Sequence, residues 1–206
     1  MTPIVSKEHR DERKKMILDA AKDVFISKGF HATTIQDIIN HSGISRGGVY
    51  TYFQNTEDIF LELLRTRDLE DVWDLEEVYE NGRTNWEALL YILNSIQDAI
   101  ENGSDLLVPA IYEYYFTTGR ITNKHLPFLE NRFEQAREGF SSIMNKGVQE
   151  NEFSPIVPIN DIAGTIITFC DGLYIGCFHL GPVKTNLRSQ FEAFHTYLAL
   201  VLKPNH

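Results

Sequence analysis

The sequence predicts an all-α fold of about nine helices. Apolar residues recur at three- and four-residue spacing through most of the 206-residue chain. No run alternates apolar and polar residues as a half-buried strand does, and no two-residue hairpin turn joins two such runs. Clusters of glycine, asparagine and proline divide the chain into segments of helical length.

Three helices are predicted at the N-terminus. The first covers Asp11–Lys28 and ends at Gly29, which can adopt the left-handed conformation of a helix C-cap. A short second helix follows over residues 33–41, where a threonine hydroxyl can cap the free N–H groups. Gly43 supplies a tight turn into a third helix, Ser45–Tyr52. Two short helices joined in this way are typical of a helix-turn-helix.

The rest of the chain is predicted to consist of longer helices. Residues 55–80 form one long helix that would connect the N-terminal domain to the remainder. Further helical patterns cover residues 84–101, 105–117, 123–151, 159–179 and 186–202. Pro109 falls inside one of them and is expected to kink it. We therefore predict a helix-turn-helix domain at 1–54 and a second helical domain at 55–206.

The charge is unevenly distributed along the chain. The formal net charge is −10, but residues 1–54 carry +2 and the remainder carries −12. Residues 55–80 alone hold ten acidic residues against two arginines. Phosphate would repel this acidic part. The asymmetry favours an N-terminal end that binds nucleic acid and a second end with another task.

The cysteines and the most apolar segment indicate the cellular compartment in which the protein is expected. Cys170 and Cys177 are seven residues apart in a helical pattern, a rise of about 10 Å, whereas a disulfide needs Cα atoms within about 7 Å. Two free thiols in a reducing cytoplasm are expected. The segment Ile162–Leu180 approaches transmembrane length but carries Asp171 at its centre, which favours a core or interface helix over a membrane span. Lys7–Lys15 is charged where a signal peptide would be apolar.

The outer face of the predicted third helix has the chemistry of a DNA-contacting surface. Its residues are small, polar or cationic: Ser45, Arg46, Gly47, Gly48, Tyr50 and Thr51. The guanidinium of Arg46 can form a bidentate contact with a guanine edge in the major groove. A phosphate contact or a solvated side chain is the alternative. Gly47 and Gly48 can allow close backbone approach to DNA, or can serve the local fold.

The N-terminal residues also carry a family resemblance. The pattern consists of Ile17-Leu18-x-Ala20-Ala21-x-x-x-Phe25-x-x-x-Gly29-Phe30, Thr33-Thr34-Ile35-x-x-Ile38, Ser42-Gly43-Ile44-Ser45 and Val49-Tyr50-x-Tyr52-Phe53. As a set it resembles the tetracycline-repressor (TetR) family of bacterial transcription regulators. The chain departs from that pattern at Ile39, Gly48 and Thr56, where the family usually has a small residue, a hydroxyl residue and a lysine. The last two departures remove phosphate contacts.

The resemblance implies a DNA-binding surface. The candidate residues are Thr33, Ser45, Arg46, Gly47, Gly48, Tyr50 and Tyr52. The two tyrosine hydroxyls would reach phosphates, and Tyr52 is expected to be the more exposed of the two. Arg10, Arg13, Lys14 and Lys15 form a basic run that is either a phosphate-binding or minor-groove arm, or a solvated face.

A single reading head makes few contacts, so a two-fold homodimer on double-stranded operator DNA is expected. The resemblance implies a four-helix dimer interface built from the helices at 159–179 and 186–202. The residues predicted for it are Ile162, Ile166, Phe169, Leu173, Cys177, Phe191, Phe194 and Leu198. The alternative is an ordinary monomer core.

The resemblance also implies an inducer site between helices of the second domain. Aromatic and acidic residues in apolar runs are the candidates: Trp86, Tyr91, Tyr112, Glu113, Phe116, Phe169, Asp171 and Tyr174. They would hold a small apolar or cationic ligand. Aromatic residues at helical spacing also build cores, and Glu113 and Asp171 can instead pair with an arginine or cap a helix.

Enzyme chemistry has no support in the sequence. There is no nucleophile elbow, phosphate-binding glycine loop or metal-ligand spacing, so no cofactor or metal is expected. The favoured hypothesis is a cytoplasmic transcriptional regulator, a repressor released from its operator by a small ligand. The alternative is a small-molecule-binding or scaffold protein with a weakened DNA head.

Overall fold

The computed structural model describes residues 7–70, 78–79, 82–103, 106–124 and 126–205, and it confirms the all-α fold. Its principal helices are α1 (Lys7–Ala32), α2 (Ile35–Ser42), α3 (Arg46–Tyr50), α4 (Thr56–Glu70), α5 (Asn85–Asn102), α6 (Val108–Tyr114), α7 (Leu126–Gln149), α8 (Ile159–Lys184) and α9 (Leu187–Leu202). A π-helical turn, Tyr115–Gly119, and a short helix, Arg120–Thr122, continue α6. Within the described ranges, β pairing is limited to one isolated bridge between Phe153 and Pro204.

Most helix boundaries lie close to the predicted ones, with two differences. The predicted extension of the fourth helix to Glu80 falls largely on residues 71–77 and 80, which lie outside the described residues. The kink expected at Pro109 is wrong. Pro109 occupies the first turn of α6, where a helix has no acceptor for the N–H group that proline lacks.

The chain divides into two compact units. The first contains the described residues of Met1–Val72 and Leu106–Phe128, and the second contains those of Trp73–Asp105 and Leu129–His206. Packing therefore places α4 and α6 with the N-terminal helices. The functional boundary between residues 54 and 55 stays a prediction.

The first unit has a core of aliphatic side chains around an aromatic cluster. Ile17, Ile38 and Val49 of the three N-terminal helices are fully buried. In the aromatic cluster, the ring centroids of Phe30 lie 4.8 Å from Phe60 and 4.7 Å from Tyr114. Burying these rings fixes α4 and α6 against α1.

The second unit packs α5, most of α7, α8 and α9 around its own core. A buried polar contact pins the start of α5, because the Glu152 carboxylate accepts hydrogen bonds from the backbone N–H groups of Asn85 (2.9 Å) and Trp86 (2.8 Å). A carboxylate at a helix N-terminus satisfies orphan N–H groups and complements the helix dipole.

By length and composition alone, helix α8 is long and apolar enough to cross a membrane. A single helix of this kind is weak evidence for a membrane span. One face of α8 belongs to the core of the second unit, with Ile162, Ile166 and Leu173 buried. Core helices pass the same test of length and hydropathy.

The residues predicted for the dimer interface belong to the core of the second unit in the single chain. Seven of the eight are buried inside a single chain: Ile162, Ile166, Leu173, Cys177, Phe191, Phe194 and Leu198. The eighth, Phe169, is half-buried and stacks on Phe194 with ring centroids 4.0 Å apart. Their side chains build or pack against the core of the second unit, which is the alternative stated for them, and the position of a dimer interface stays a prediction.

Candidate nucleic-acid interface

Helix α2 begins at a reciprocal cap formed by Thr34 and Asp37. The Asp37 N–H donates to the Thr34 hydroxyl (3.2 Å), and the Thr34 N–H donates to the Asp37 carboxylate (2.9 Å). Lys28 donates to the same carboxylate at 2.6 Å. The hydrogen bonds from Lys28 and Thr34 hold the pKa of Asp37 well below its usual range. The start of α2 is thus fixed by contacts within the first unit.

Thr33 does not have the exposure expected of a phosphate ligand. It is 6% exposed, and its hydroxyl donates to the carbonyl oxygen of Gly29 at 2.6 Å. Thr34 takes the exposed capping position instead. The side chain of Thr33 therefore completes the junction between α1 and α2, and this corrects its predicted placement at the surface.

The turn into α3 has the predicted geometry. Gly43 has φ +67°, in the left-handed region that favours glycine. The Ser45 hydroxyl caps α3 by accepting the N–H of Gly48 at 3.2 Å. Val49 is fully buried, which turns the opposite side of α3 outward. That outer face carries Arg46, Gly47, Tyr50 and Thr51, all exposed.

The exposures of Tyr50, at the end of α3, and of Tyr52, just beyond it, are the reverse of the prediction. Tyr50 is exposed (41%), whereas Tyr52 is half-buried and packs against the core of the first unit. The prediction that Tyr52 is the more exposed is therefore wrong. The ring of Tyr52 faces the same core as Phe53, its neighbour in sequence, with centroids 6.4 Å apart.

The two glycines of α3 have different surroundings. A Cβ atom at Gly47 would meet no atom within 4 Å, so the backbone there is open to an approaching molecule. A Cβ atom at Gly48 would lie 2.8 Å from Cγ2 of Ile44 and 3.2 Å from Oγ of Ser45. Gly48 thus serves the local packing of the turn, while close approach of DNA to the backbone at Gly47 stays a prediction.

The basic run near the start of α1 separates into paired and unpaired cations. Lys14 forms an ion pair with Glu62, and Lys15 with Asp19 at 2.8 Å. Within the described residues, Arg10 and Arg13 form no ion pair. An open groove of about 500 Å³ is lined by His9, Glu12, Arg13, Met16, Ser42, Gly43, Ile44 and Ser45. Arg13 therefore borders the same groove as the cap of α3.

Three of the predicted ligand residues belong to the first unit: Tyr112, Glu113 and Phe116. The Glu113 carboxylate accepts the backbone N–H groups of Phe30 (2.7 Å) and His31 (3.1 Å). Glu113 therefore caps backbone N–H groups, which is the alternative stated for it, and its charge is not free to meet a ligand. The rings of Tyr112 and Phe116 stack at 6.0 Å, and Phe116 is exposed.

The other five predicted ligand residues belong to the second unit: Trp86, Tyr91, Phe169, Asp171 and Tyr174. The guanidinium of Arg83 lies 4.0 Å from the ring centroid of Tyr91. Trp86, Tyr91, Phe169 and Tyr174 pack, half-buried, against the core. Asp171 lies on the exposed side of α8. Their function as a ligand site stays a prediction.

A polar cluster surrounds Glu57, at the start of α4, and was not predicted from the sequence. The Glu57 carboxylate accepts hydrogen bonds from Tyr114 (3.0 Å), Thr122 (2.7 Å) and Lys124 (2.9 Å). Its three partners are more than 50 residues away in sequence. No local pattern could have identified them.

Two family descriptions match the chain. "Bacterial regulatory proteins, tetR family" matches residues 17–63, and "Tetracyclin repressor-like, C-terminal domain" matches residues 88–188. The first match contains α2 and α3 complete, together with most of α1.

Curated relatives match over most of the chain. The uncharacterized HTH-type transcriptional regulator YfiR of Bacillus subtilis is 34% identical over 98% of this chain and 98% of its own length. The HTH-type transcriptional regulator QacR of Staphylococcus aureus is 30% identical over 72% of this chain and 76% of its own.

A solved structure supports the same fold. The crystal structure of a TetR-family transcriptional regulator from Cytophaga hutchinsonii superposes with a TM-score of 0.73, covering 98% of this chain and 99% of that one at 20% identity. The two family matches and the relative that is 34% identical over 98% of this chain decide the class of protein: the chain belongs to the TetR family of transcriptional regulators, which are DNA-binding proteins and not enzymes.

Proposed function

We propose that this regulator is a cytoplasmic repressor that binds its operator as a homodimer and leaves it when a small molecule binds. The observation that carries the DNA-binding part is the outer face of α3. Within the described residues no carboxylate pairs with Arg46, so its guanidinium is available to a base edge or a phosphate. Gly47 beside it leaves the backbone open to the groove wall.

The experiment is a fluorescence-anisotropy titration of the full-length protein on the promoter region of its own gene. Arg46→Ala is compared with Arg120→Ala, which removes the same charge from an exposed position of the first unit. Loss of a bidentate guanine contact weakens operator binding about tenfold or more. Arg120→Ala should stay close to wild type.

Two results would count against this function. If both variants bind like wild type, Arg46 does not read the operator. If the wild-type protein shows no sequence-specific, salt-sensitive binding at all, the alternative of a small-molecule-binding or scaffold protein with a weakened DNA head gains support.

We place the dimer interface on the outer faces of α8 and α9. The exposed or half-exposed residues there are Thr168, Gly172, Ile175 and Phe178 on α8, and Ala193, Thr196 and Leu200 on α9. Phe178 is 57% and Leu200 is 65% exposed in a single chain, which is costly without a partner. Small residues in both stripes allow two helices to approach closely.

Analytical ultracentrifugation tests this interface. Phe178→Asp would place a charge inside the contact and shift the protein from dimer to monomer. Ile121→Asp is the matched control, because Ile121 is 83% exposed in the first unit, outside the proposed interface. Dimers that persist in Phe178→Asp, or a monomeric wild-type protein, would contradict the assignment.

For the ligand we propose a small apolar or cationic molecule held by the half-buried aromatic residues of the second unit. Support comes from four aromatic residues whose rings are only partly buried against the core: Trp86, Tyr91, Phe169 and Tyr174. The faces of these rings would attract a cation. Tetraphenylphosphonium is a suitable probe. It should quench tryptophan fluorescence and release DNA, and Tyr174→Leu should weaken both effects.

A further inference from the structure

We propose that Glu113 is a positioning residue for the DNA-binding head, defined as α1, α2 and α3. Its carboxylate orders the junction between α1 and α2, so that α2 and α3 are held in the orientation that meets DNA. The proposal rests on the operator-binding function above, and it assigns to Glu113 a role different from that of a ligand contact.

The junction contains a break that needs hydrogen-bond acceptors. Gly29 has φ 77° and ψ 171°, which interrupts the helical path inside α1. After such a break the next N–H groups lose their helical acceptors. The two carboxylate oxygens of Glu113 replace them: Oε2 accepts Phe30 N–H at 2.7 Å and Oε1 accepts His31 N–H at 3.1 Å. Hydrogen bonds to an ionised acceptor are stronger than neutral ones.

Gly29 is required at the break for two reasons. Its positive φ suits glycine, and the space of its absent side chain is occupied by the Glu113 carboxylate. A Cβ atom at Gly29 would lie 2.5 Å from Oε2 of Glu113. The carbonyl group of Gly29 is used as well, because it accepts the Thr33 hydroxyl at 2.6 Å. The break and its acceptor therefore form one matched contact.

Tyr114, the residue after Glu113, packs against the side chain of Phe30 at the same junction. The ring of Tyr114 contacts Phe30 at 4.7 Å and Phe60 at 5.1 Å between centroids. The hydroxyl of Tyr114 donates to Glu57 at the start of α4. Two consecutive residues of α6 thus fix the backbone and the ring of Phe30, four residues before the cap of α2 at Thr34.

The contact joins segments that belong to different family domains. Glu113 lies in the stretch that matches the C-terminal domain (88–188), whereas Phe30 lies in the stretch that matches the N-terminal domain (17–63). The DNA-binding head therefore depends on a residue from the other family domain. A displacement of α6 would remove the acceptor from both N–H groups and loosen the start of α2.

The test compares Glu113→Gln with Glu130→Gln in the full-length protein. Both changes remove one negative charge, and Glu130 is exposed on α7. A glutamine at 113 has one acceptor oxygen for two N–H groups. If the ordered junction is then populated about one tenth of the time, the Kd for promoter DNA rises about tenfold. Glu130→Gln should bind like wild type or slightly tighter.

Amide hydrogen exchange provides a readout that does not depend on DNA. In Glu113→Gln we expect faster exchange at Phe30 and His31, and also at Ile38 and Ile39 of α2, with unchanged helical circular dichroism. A contact that is merely structural would change the melting temperature while leaving the affinity of the folded protein untouched.

Two outcomes would overturn the proposal: α2 amides that exchange at the wild-type rate in Glu113→Gln, or a Kd equal to that of Glu130→Gln. The proposed operator binding would fail differently, through a wild-type protein that does not bind the promoter. In that case the exchange of the α2 amides alone decides the role of Glu113. Because glutamine keeps one acceptor, the variant remains informative even if Glu113→Ala fails to fold.

Discussion

The guanidinium carbon of Arg46 lies 5.5 Å from the ring centroid of Tyr50, one helical turn further along α3. This is within the range of a cation–π contact. The other groups on the outer face of α3 are small or already hydrogen-bonded. Gly47 has no side chain, and the Thr51 hydroxyl donates to the Gly47 carbonyl oxygen at 2.8 Å. The surface that we propose to contact DNA is thus dominated by one guanidinium and the phenol ring beside it.

We predict that Tyr50→Leu reduces discrimination between operator and non-specific DNA about two- to fivefold, the equivalent of an exposed cation–π contact of about 0.5–1 kcal/mol. Tyr50→Phe keeps the ring and loses only a hydroxyl contact to phosphate. It should therefore weaken binding to both DNAs equally. Anisotropy titrations on the two DNAs give the ratio. An unchanged ratio in Tyr50→Leu would show that the ring does not orient Arg46.

The two glycines of α3 should respond oppositely to alanine. Gly48→Ala brings a methyl group against Cγ2 of Ile44, at 2.8 Å, and should lower the free energy of unfolding by about 1–2 kcal/mol. Gly47→Ala meets no neighbour and should raise it by up to about 1 kcal/mol through helix propensity. Urea denaturation followed by circular dichroism measures both, and equal effects would argue against the packing role of Gly48.

A larger loss of stability is expected from Gly147→Ala in α7. Its Cβ atom would lie 2.2 Å from the ring of Phe153, which is 3% exposed. Overpacking at this site should cost about 2–3 kcal/mol. Phe153→Leu makes room for the methyl group of Gly147→Ala. The double variant should therefore lose less free energy of unfolding than the sum of the losses in the two single variants. Additive losses in urea denaturation would exclude this steric cause.

The Glu57 cluster predicts a pH dependence of stability. Burial opposes ionisation of Glu57, but hydrogen bonds from Lys124, Thr122 and Tyr114 outweigh it and hold the pKa below the usual 4.5. A lowered pKa stabilises the folded state above pH 4.5, and this contribution disappears as the pH falls through the folded-state pKa. The melting temperature of wild type should exceed that of Glu57→Gln at pH 7, with the gap closing in acid. A gap that is constant with pH would exclude ionisation as its cause.

Local sequence patterns predicted the helices and their turns well. Gly43 and Ser45 have the conformation or the capping contact that their residue types indicate, because a cap depends on neighbours within four residues. Gly29 differs from the prediction, since its ψ of 171° is not that of a left-handed C-cap and α1 continues beyond it to Ala32. The helix-turn-helix and the outer face of α3 follow from these local signals.

Contacts distant in sequence were not predictable. The periodicity of α8 and α9 showed apolar faces, yet it could not tell a face buried in one chain from a face that meets a partner. Tyr52 and Tyr50 carry the same side chain, and only packing against the core distinguishes them. Glu113 and Glu57 find partners through the fold, which no spacing along the chain reveals.

The break at Gly29 also limits how this regulator can be recombined with others. A chimera that joined residues 1–54 to the effector domain of another protein would leave the N–H groups of Phe30 and His31 without their acceptor. An acidic side chain at the position equivalent to Glu113 would have to be supplied along with the head. Successful exchange of DNA specificity in this protein therefore requires two separate grafts, one of the N-terminal helices and one at position 113.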